Sequence, residues 1–260
     1  QPGRIGQVSF KVVIPARYGS TRLPGKPLRL IAGLPMIQHV FMRAMESGAS
    51  EVIVATDDER ISTVCEEFGA TVCMTRADHV SGTDRIAEVA ASRAWSDQEM
   101  VVNLQGDEPG LPAQLIDQVA ELLASRADAD IATLATPVGD VDEFLNPNAV
   151  KVVADLTGRA LYFSRAPIPW FRDHASDRLM SQSRFDGAWR HLGLYAYRVG
   201  ALRQLAAAQP SPLELAEKLE QLRAMEMGMT IMVALASCPP GHGVDTEEDL
   251  GRVAERWSVS

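Results

Sequence analysis

The chain has 260 residues, 46% of them hydrophobic and 23% charged, which is typical of a globular protein. Its formal charge of −9 argues against nucleic acid as a partner, because phosphate binding requires a basic surface. No apolar run in the sequence is long enough to cross a bilayer, so no membrane insertion is predicted. A chain of this length predicts one domain, here spanning 1–260, with a smaller lobe inside it.

The cysteines and the first residues indicate a compartment. Cys65, Cys73 and Cys238 are odd in number and lack the spacing of metal ligands. We expect them to be small buried hydrophobic residues of a protein in a reducing environment. Residues 1–9 lack the pattern of a signal peptide. These features together predict a cytoplasmic protein.

Strand-like apolar runs alternate with helical patterns through the first half of the chain. The predicted strands are 10–14, 52–55, 71–74, 100–104 and 131–135. The predicted helices between them are 35–47, 58–68, 83–95 and 112–126. This alternation predicts an α/β fold with a mainly parallel sheet and helices on both faces. Such sheets bind ligands beyond the carboxyl ends of their strands.

The alternation of strands and helices stops in the second half of the chain. Predicted strands at 146–155, 160–163 and 191–197 follow one another without full helices. We therefore expect a smaller, strand-rich lobe at about 138–200, which packs over the sheet or against a second subunit. The remaining predicted elements are helices 199–208 and 213–227, a strand at 231–236 and a helix at 246–257.

The loop after the first strand has the chemistry of a polyphosphate site. Residues 14–27 read IPARYGSTRLPGKP and combine glycines with fixed positive charge near a strand end. Its cations are Arg17, Arg22 and Lys26. It is not a Walker A loop, because five residues separate Gly19 from Gly25 and Pro27 replaces the magnesium-binding hydroxyl. The loop predicts a bound nucleotide whose magnesium ligands come from elsewhere.

Two aspartates are candidates for those ligands. Asp107 lies in QGDEP directly after the strand at 100–104, where Gly106 leaves room for a ligand. A carboxylate at such a strand end suits magnesium, which combines one or two protein carboxylates with substrate phosphates. Asp245 precedes the last predicted helix. The residues alone favour an N-cap role for it over a metal ligand.

Three further features remain open on pattern alone. Residues 76–85, RADHVSGTDR, suit contacts with a ribose or base, and equally suit a capped helix. Arg165 offers a planar fork for a carboxylate, with a surface ion pair as the alternative. His191 is a lone histidine on a predicted strand, which is more typical of a structural role.

Several segments in one order resemble the 3-deoxy-manno-octulosonate (Kdo) cytidylyltransferase family. They are IPARYGSTRLPGKP, CMTRADHVSGTDR, VVNLQGDEP, NPNAVKVV, LYFSRAPIPW, HLGLYAYR, SPLELAEKLEQLR and GVDTEEDL. The resemblance runs from Val12 to the last helix and is weakest over 172–189. It implies a nucleotidyltransferase fold, usually a homodimer, that uses CTP and Mg²⁺ to activate Kdo for lipopolysaccharide synthesis.

The resemblance also implies roles for individual residues. The nucleotide would be bound by Ala16, Arg17, Ser20, Thr21, Arg22, Lys26, Arg76, Ser81, Gln105 and Gly106. The sugar acid would be bound by Arg165, His191, Tyr195, Glu220 and Gln221. The catalytic set would be Arg17, Arg22, Lys26, Asp107 and Asp245. Both aspartates become magnesium ligands, which reverses the preference for Asp245 as a cap.

In the implied reaction, the anomeric hydroxyl of Kdo attacks the α-phosphorus of CTP and pyrophosphate leaves. Lys26, Arg22 and Mg²⁺ would stabilise the departing charge, and Arg165 would hold the sugar carboxylate. The nearest alternative is CMP-activation of another sugar acid, such as a sialic acid. A sugar-1-phosphate nucleotidyltransferase and a non-catalytic nucleotide-binding subunit are the more distant ones.

Overall fold

The computed structural model describes residues 8–19, 23–174 and 183–258. The strands are β1 Lys11–Ala16, β2 Leu30–Ile31, β3 Leu34–Pro35, β4 Glu51–Thr56, β5 Thr71–Met74, β6 Met100–Asn103, β7 Ile131–Pro137, β8 Lys151–Ala154, β9 Ala160–Ser164, β10 Trp189–Arg198 and β11 Ile231–Leu235. The α-helices are α1 Met36–Met45, α2 Glu59–Glu67, α3 Gly82–Ser92, α4 Ala113–Ala124, α5 Val141–Leu145, α6 Val199–Ala207, α7 Pro212–Glu217, α8 Glu220–Glu226 and α9 Glu247–Ser258.

The fold is built on one large, mainly parallel sheet. Its main path runs β11-β7-β10-β6-β1-β4-β5. β1 is parallel to β4 and β6, β4 to β5, and β7 to β11. The predicted α/β fold with a mainly parallel sheet is therefore confirmed.

Helices cover both faces of this sheet because its strands are apolar on both sides. Val12 and Ile14 of β1 pack into one core with α1, α2 and α4. Val13 points the other way, into a second core with α3, α6 and α8. Successive side chains of a strand point to opposite faces, so one buried strand serves both cores.

β10 joins the predicted smaller lobe to the main sheet. It lies antiparallel between β6 and β7, and its first residues also pair with β8 of the β8–β9 hairpin. Part of the segment at about 138–200 is thus built into the central sheet. A sugar-binding or dimerisation role for that lobe stays a prediction.

Two elements differ most from their predicted bounds. The strand predicted at 146–155 begins only at Lys151, because the preceding turn wraps around the buried Lys151 amino group. That group donates to the carbonyls of Asn146 (2.8 Å) and Arg165 (2.9 Å). The helix predicted at 213–227 is two helices, since Lys218 has a φ of 55°. A left-handed residue ends an α-helix.

The last helix packs against the first loop region. Val244, Leu250 and Val253 form a small core with Leu23 and Ile31. This core holds the end of the described chain beside residues that follow β1. None of the helices within the described ranges is long and apolar enough to span a membrane.

Candidate active site

The carboxyl ends of β1 and β6 bring two predicted motifs together. The strands are parallel neighbours, with Val13 opposite Asn103, so the segments after them leave the sheet at the same edge. Gly106 lies close to this junction: a Cβ added there would stand 3.1 Å from the Pro15 carbonyl oxygen. The room predicted at Gly106 for a ligand is therefore partly taken by the backbone of β1.

Lys26 stands between the two predicted magnesium ligands. Its Nζ lies 2.7 Å from Asp107 Oδ2 and 2.8 Å from Asp245 Oδ1. Burial by itself lowers the pKa of the Lys26 amine, but the two carboxylates outweigh it and raise that pKa above its usual value. The ammonium group is thus firmly charged, and three residues far apart in sequence converge on one point.

Asp245 does not cap α9, although its position before that helix suggested this role. Thr246 caps α9 instead, with its hydroxyl accepting from the Asp249 N–H at 3.2 Å. Asp249 in turn accepts from the backbone N–H groups of Asp245 and Thr246. The residue-based preference for Asp245 as the cap was wrong because the next residue performs that function. A hydrogen bond from Val244 N to Asp107 O (2.9 Å) holds the two carboxylate segments together.

The donor set around Lys26 suits a divalent cation. Asp107 and Asp245 are 39% and 50% exposed, so their oxygens remain open to the cavity. The neighbouring Glu108 has its pKa raised to about 7 by burial and by the negative charge of both aspartates. Within the described residues, no three His, Cys, Asp or Glu side chains form a metal cluster. Two carboxylates are nevertheless the usual protein share of a magnesium site.

A cavity of about 340 Å³ opens beside this cluster, a size suited to a small ligand. We call it the first cavity. Of the residues predicted to bind nucleotide or metal, it is lined by Ala16, Arg17, Lys26, Ser81, Gln105, Gly106, Asp107 and Asp245. Predictions for Ser20, Thr21 and Arg22 lie outside the described residues. Arg76 lies at the surface, where its side chain is 68% exposed and pairs with Asp78 at 3.4 Å.

Two basic side chains that line the first cavity, His79 and Arg85, were not among the predicted site residues. His79 has a buried ring whose Nε2 pairs with the Glu88 carboxylate. Burial raises the pKa of Glu88, but hydrogen bonds from His79 and the Arg76 N–H prevail and lower it. Arg85 is buried and lies 3.2 Å from Asp57. Both residues belong to the RADHVSGTDR segment, whose pattern was the available signal.

A second cavity of about 320 Å³ adjoins the first. Ser81, Gly82 and Gln105 line both, so they form the shared wall. The second cavity is also lined by His191, Tyr195, Glu220 and Gln221, which were predicted to bind the sugar acid. The sequence did not single out Thr83, Asn103, Gly193, Tyr197 and Leu219, which complete the lining.

His191 and Tyr195, which line the second cavity, are uncharged near neutral pH. Burial lowers the pKa of His191 to about 3 and raises the pKa of Tyr195 well above its usual range. Burial also raises the pKa of Glu220. Hydrogen bonds from Thr83 and Ser81 lower that pKa, but burial outweighs them. The neutral His191 and Tyr195 side chains offer hydrogen bonds that suit a polyhydroxylated ligand.

Arg165 lies apart from the other predicted sugar-binding residues. Its guanidinium donates to the carbonyl oxygens of Glu217 (2.6 Å) and Pro147 (2.9 Å), and its backbone N–H donates to the Glu217 carboxylate. These contacts tie the end of β9 to α7. The predicted contact with a sugar carboxylate stays a prediction, because the guanidinium is committed to backbone oxygens here.

Similar sequences and a similar architecture occur in known proteins. The chain matches the cytidylyltransferase family over residues 11–231. It is 56% identical over 246 residues to the 3-deoxy-manno-octulosonate cytidylyltransferase of Thioalkalivibrio sulfidiphilus, covering 95% of this chain and 98% of that one. It is 55% identical to the protein of the same name from Idiomarina loihiensis, covering 94% and 97%.

A solved structure shows the likeness in three dimensions. The fold superposes on CMP:2-keto-3-deoxy-manno-octonic acid synthetase complexed with CTP with a TM-score of 0.86. That pair shares 40% identity and covers 96% of this chain and 98% of the other. The chain belongs to the cytidylyltransferase family, among the 3-deoxy-manno-octulosonate cytidylyltransferases.

Proposed function

We propose that this protein couples Kdo to CMP, taking CMP from CTP and releasing pyrophosphate, and so activates Kdo for lipopolysaccharide synthesis. The observation that carries the proposal is the convergence of Lys26, Asp107 and Asp245 at the wall of the first cavity. The second cavity shares a wall with the first, as a reaction between two bound substrates requires. The names of both relatives support Kdo, rather than a sialic acid, as the sugar acid.

The first cavity is the proposed CTP site. Lys26 and Arg17 line it and supply fixed positive charge. Phosphoryl transfer is catalysed mainly by positioning and by stabilising charge that develops on the phosphate oxygens. Lys26 is the group that we expect to stabilise the leaving pyrophosphate, because it is charged and already ordered by two ion pairs.

Asp107 and Asp245 are the proposed holders of Mg²⁺. Their oxygens are hard ligands, they remain half-exposed, and they already face one cation. Magnesium bound there supplies charge neutralisation for the phosphate oxygens. The two residues position the ion, and Lys26 must share their negative charge with it.

The second cavity is the proposed Kdo site. Its neutral donors and acceptors match sugar hydroxyls, and its position beside Gln105 and Ser81 adjoins the proposed CTP site. An anomeric hydroxyl held at this shared wall is positioned to attack the α-phosphorus, with pyrophosphate as the leaving group.

Pyrophosphate release tests the proposal. The purified protein with Mg²⁺ and CTP should release pyrophosphate when Kdo is added, and far less with a sialic acid or without a sugar. Asp107→Asn should reduce this rate at least about 100-fold, because a metal ligand is lost. Asp128→Asn is the matched control, since Asp128 is an exposed carboxylate paired with Arg126. Full activity of Asp107→Asn would contradict the metal assignment.

A homodimer in the cytoplasm belongs to the same proposal. The three cysteines are free thiols, as expected for a reducing compartment. Analytical ultracentrifugation of the purified chain tests the dimer: sedimentation at the mass of one chain at micromolar concentration would contradict it.

A further inference from the structure

We propose that Thr133 is a positioning residue that fixes the His191 ring with its proton on Nε2 and leaves Nδ1 as a hydrogen-bond acceptor for a sugar hydroxyl. Thr133 lies on β7 and is fully buried. Its neighbour across the sheet is Tyr195 of β10. Kdo as the ligand rests on the proposed function, whereas the tautomer is a property of the protein alone.

An irregularity in β10 places two backbone carbonyl oxygens where the Thr133 hydroxyl donates its proton to them. The register between β10 and β7 shifts between Leu192 and Tyr195. The carbonyl oxygens of Leu192 and Leu194 consequently lie 3.1 Å and 2.8 Å from Thr133 Oγ1. A hydroxyl has one proton to donate and carbonyl oxygens only accept, so these two carbonyls share that proton.

The direction of the Thr133–His191 hydrogen bond follows. His191 Nε2 lies 3.0 Å from Thr133 Oγ1. Because the hydroxyl proton is committed to the bulge carbonyls, the hydroxyl can only accept from the ring. His191 must therefore carry its proton on Nε2. The opposite direction would take the proton away from the carbonyls of Leu192 and Leu194, which lie inside the sheet.

The second ring nitrogen is then an acceptor that faces ligand space. Among the described residues, Nδ1 of His191 has no hydrogen-bond partner. It is also not one of the side-chain atoms that are fully buried without a partner, so it is accessible from the cavity. His191 lines the second cavity. Phe163 and Tyr195 pack against the ring at centroid distances of 5.0 Å and 5.2 Å, which limits its rotation.

The neutral state of the ring gives this acceptor its selectivity. Burial lowers the pKa of His191 to about 3, so the ring is uncharged near neutral pH. A bare nitrogen accepts from a hydroxyl and repels the lone pairs of a carboxylate. His191 is therefore expected to bind a hydroxyl of the sugar acid, with the carboxylate placed elsewhere.

Nitrogen NMR of protein with ¹⁵N-labelled histidine tests the tautomer without any turnover. In the wild-type protein, His191 should show a protonated Nε2 and an unprotonated Nδ1 at pH 7. Addition of Kdo should move the Nδ1 resonance more than the Nε2 resonance. A wild-type ring protonated on Nδ1, or one that exchanges between tautomers, overturns the proposal.

Kinetics of matched variants test the consequence for substrate. Thr133→Val should raise the KM for Kdo at least tenfold while changing kcat and the KM for CTP less than threefold. Thr133→Ser should restore the KM for Kdo and the wild-type NMR pattern. The control is Thr136→Val on the same strand, because Thr136 Oγ1 is buried and has no partner within the described chain. The proposal is overturned when Thr133→Val keeps both the tautomer and the KM, or when folded Thr133→Ser fails to restore them.

Discussion

Lys26 acts as a counter-ion for two carboxylates that we expect to bind magnesium. Its side chain is 11% exposed, whereas Asp107 and Asp245 face the first cavity. In the absence of other cations, this lysine keeps the aspartates from repelling each other. We therefore expect a divalent ion to compete with Lys26 for the same carboxylate oxygens.

Replacement of Lys26 separates its two roles. We expect Lys26→Met to lower kcat by roughly 100-fold, because one preorganised charge on the leaving group is lost. The same variant should bind Mg²⁺ more tightly than wild type without nucleotide, since the ammonium group no longer competes. The Mg²⁺-dependent rise in Tm measures this affinity. Lys11→Met is the matched control, as Lys11 of β1 is similarly buried and pairs with Glu99. Equal Mg²⁺ affinity in wild type and Lys26→Met would contradict the competition.

His191 links the second cavity to the pH dependence of stability. Its folded pKa of about 3 lies below the unfolded value of about 6.5, so the unfolded chain binds the extra proton. Stability from this group is present above pH 6.5 and is lost as the pH falls toward 3. Between pH 7.5 and 5 the loss should be at most about 2 kcal/mol, since the ring borders a cavity.

Urea unfolding at both pH values tests this expectation. The wild-type free energy of unfolding should fall more between pH 7.5 and 5 than that of His191→Asn, which cannot take up the proton. Other titrating groups contribute equally to both proteins and cancel in the difference. The same pH dependence in the two proteins would show that His191 is not buried as a neutral ring.

At the scale of elements, two loops that contain the aspartates pack closely against each other. The loop after β6 contains Asp107 and Gly110, and the loop before α9 contains Gly241 and Asp245. Val244 N donates to Asp107 O at 2.9 Å. Gly241 has a φ of 76°, and a Cβ added to it would stand 2.3 Å from the Gly110 carbonyl oxygen. The separation of the carboxylates depends on this close approach.

A methyl group added at Gly241 should therefore push the two loops apart. We expect Gly241→Ala to lower kcat at least tenfold and to raise the Mg²⁺ concentration for half-maximal activity, with an unchanged far-UV CD spectrum. Gly228→Ala is the matched control: its φ is 83°, but no atom lies within 4 Å of the added Cβ. The control should lose about 1–2 kcal/mol of stability from backbone strain and keep its Mg²⁺ dependence. Indistinguishable kinetics in the two variants would count against a role for the close approach of the two loops.

At the scale of the whole molecule, the site is assembled from both ends of the chain. β1 and β6 lie side by side in the sheet, and α9 packs on the residues after β1. A ligand in the first cavity therefore bridges segments that separate on unfolding. Such a ligand stabilises the folded chain by mass action.

CTP should consequently protect the protein against heat. At about 100 times its Kd, CTP with Mg²⁺ should add about 2.7 kcal/mol and raise the Tm by roughly 5–10 °C. Differential scanning fluorimetry measures this rise, and Asp107→Asn should lose the part that depends on Mg²⁺. An equal rise with ATP at the same concentration would contradict a cytosine-selective cavity.

The sequence alone was sufficient for features that depend on nearby residues. Alternating strands and helices predicted the mainly parallel sheet, and the order of motifs indicated the family. Asp107 was singled out because the residues on either side mark a strand end. These signals are local, since strand periodicity and turn chemistry extend over about ten residues.

Only the tertiary structure decided which distant residues meet. It brought Asp245 to Lys26, and it showed that Thr246 caps α9, whereas the local pattern had favoured Asp245 as the cap. It placed Arg165 on backbone carbonyls, and it put β10 between β6 and β7, where Thr133 can order His191. The physical reason is that strand order and loop packing follow from the burial of a shared core, and no single segment encodes such long-range contacts.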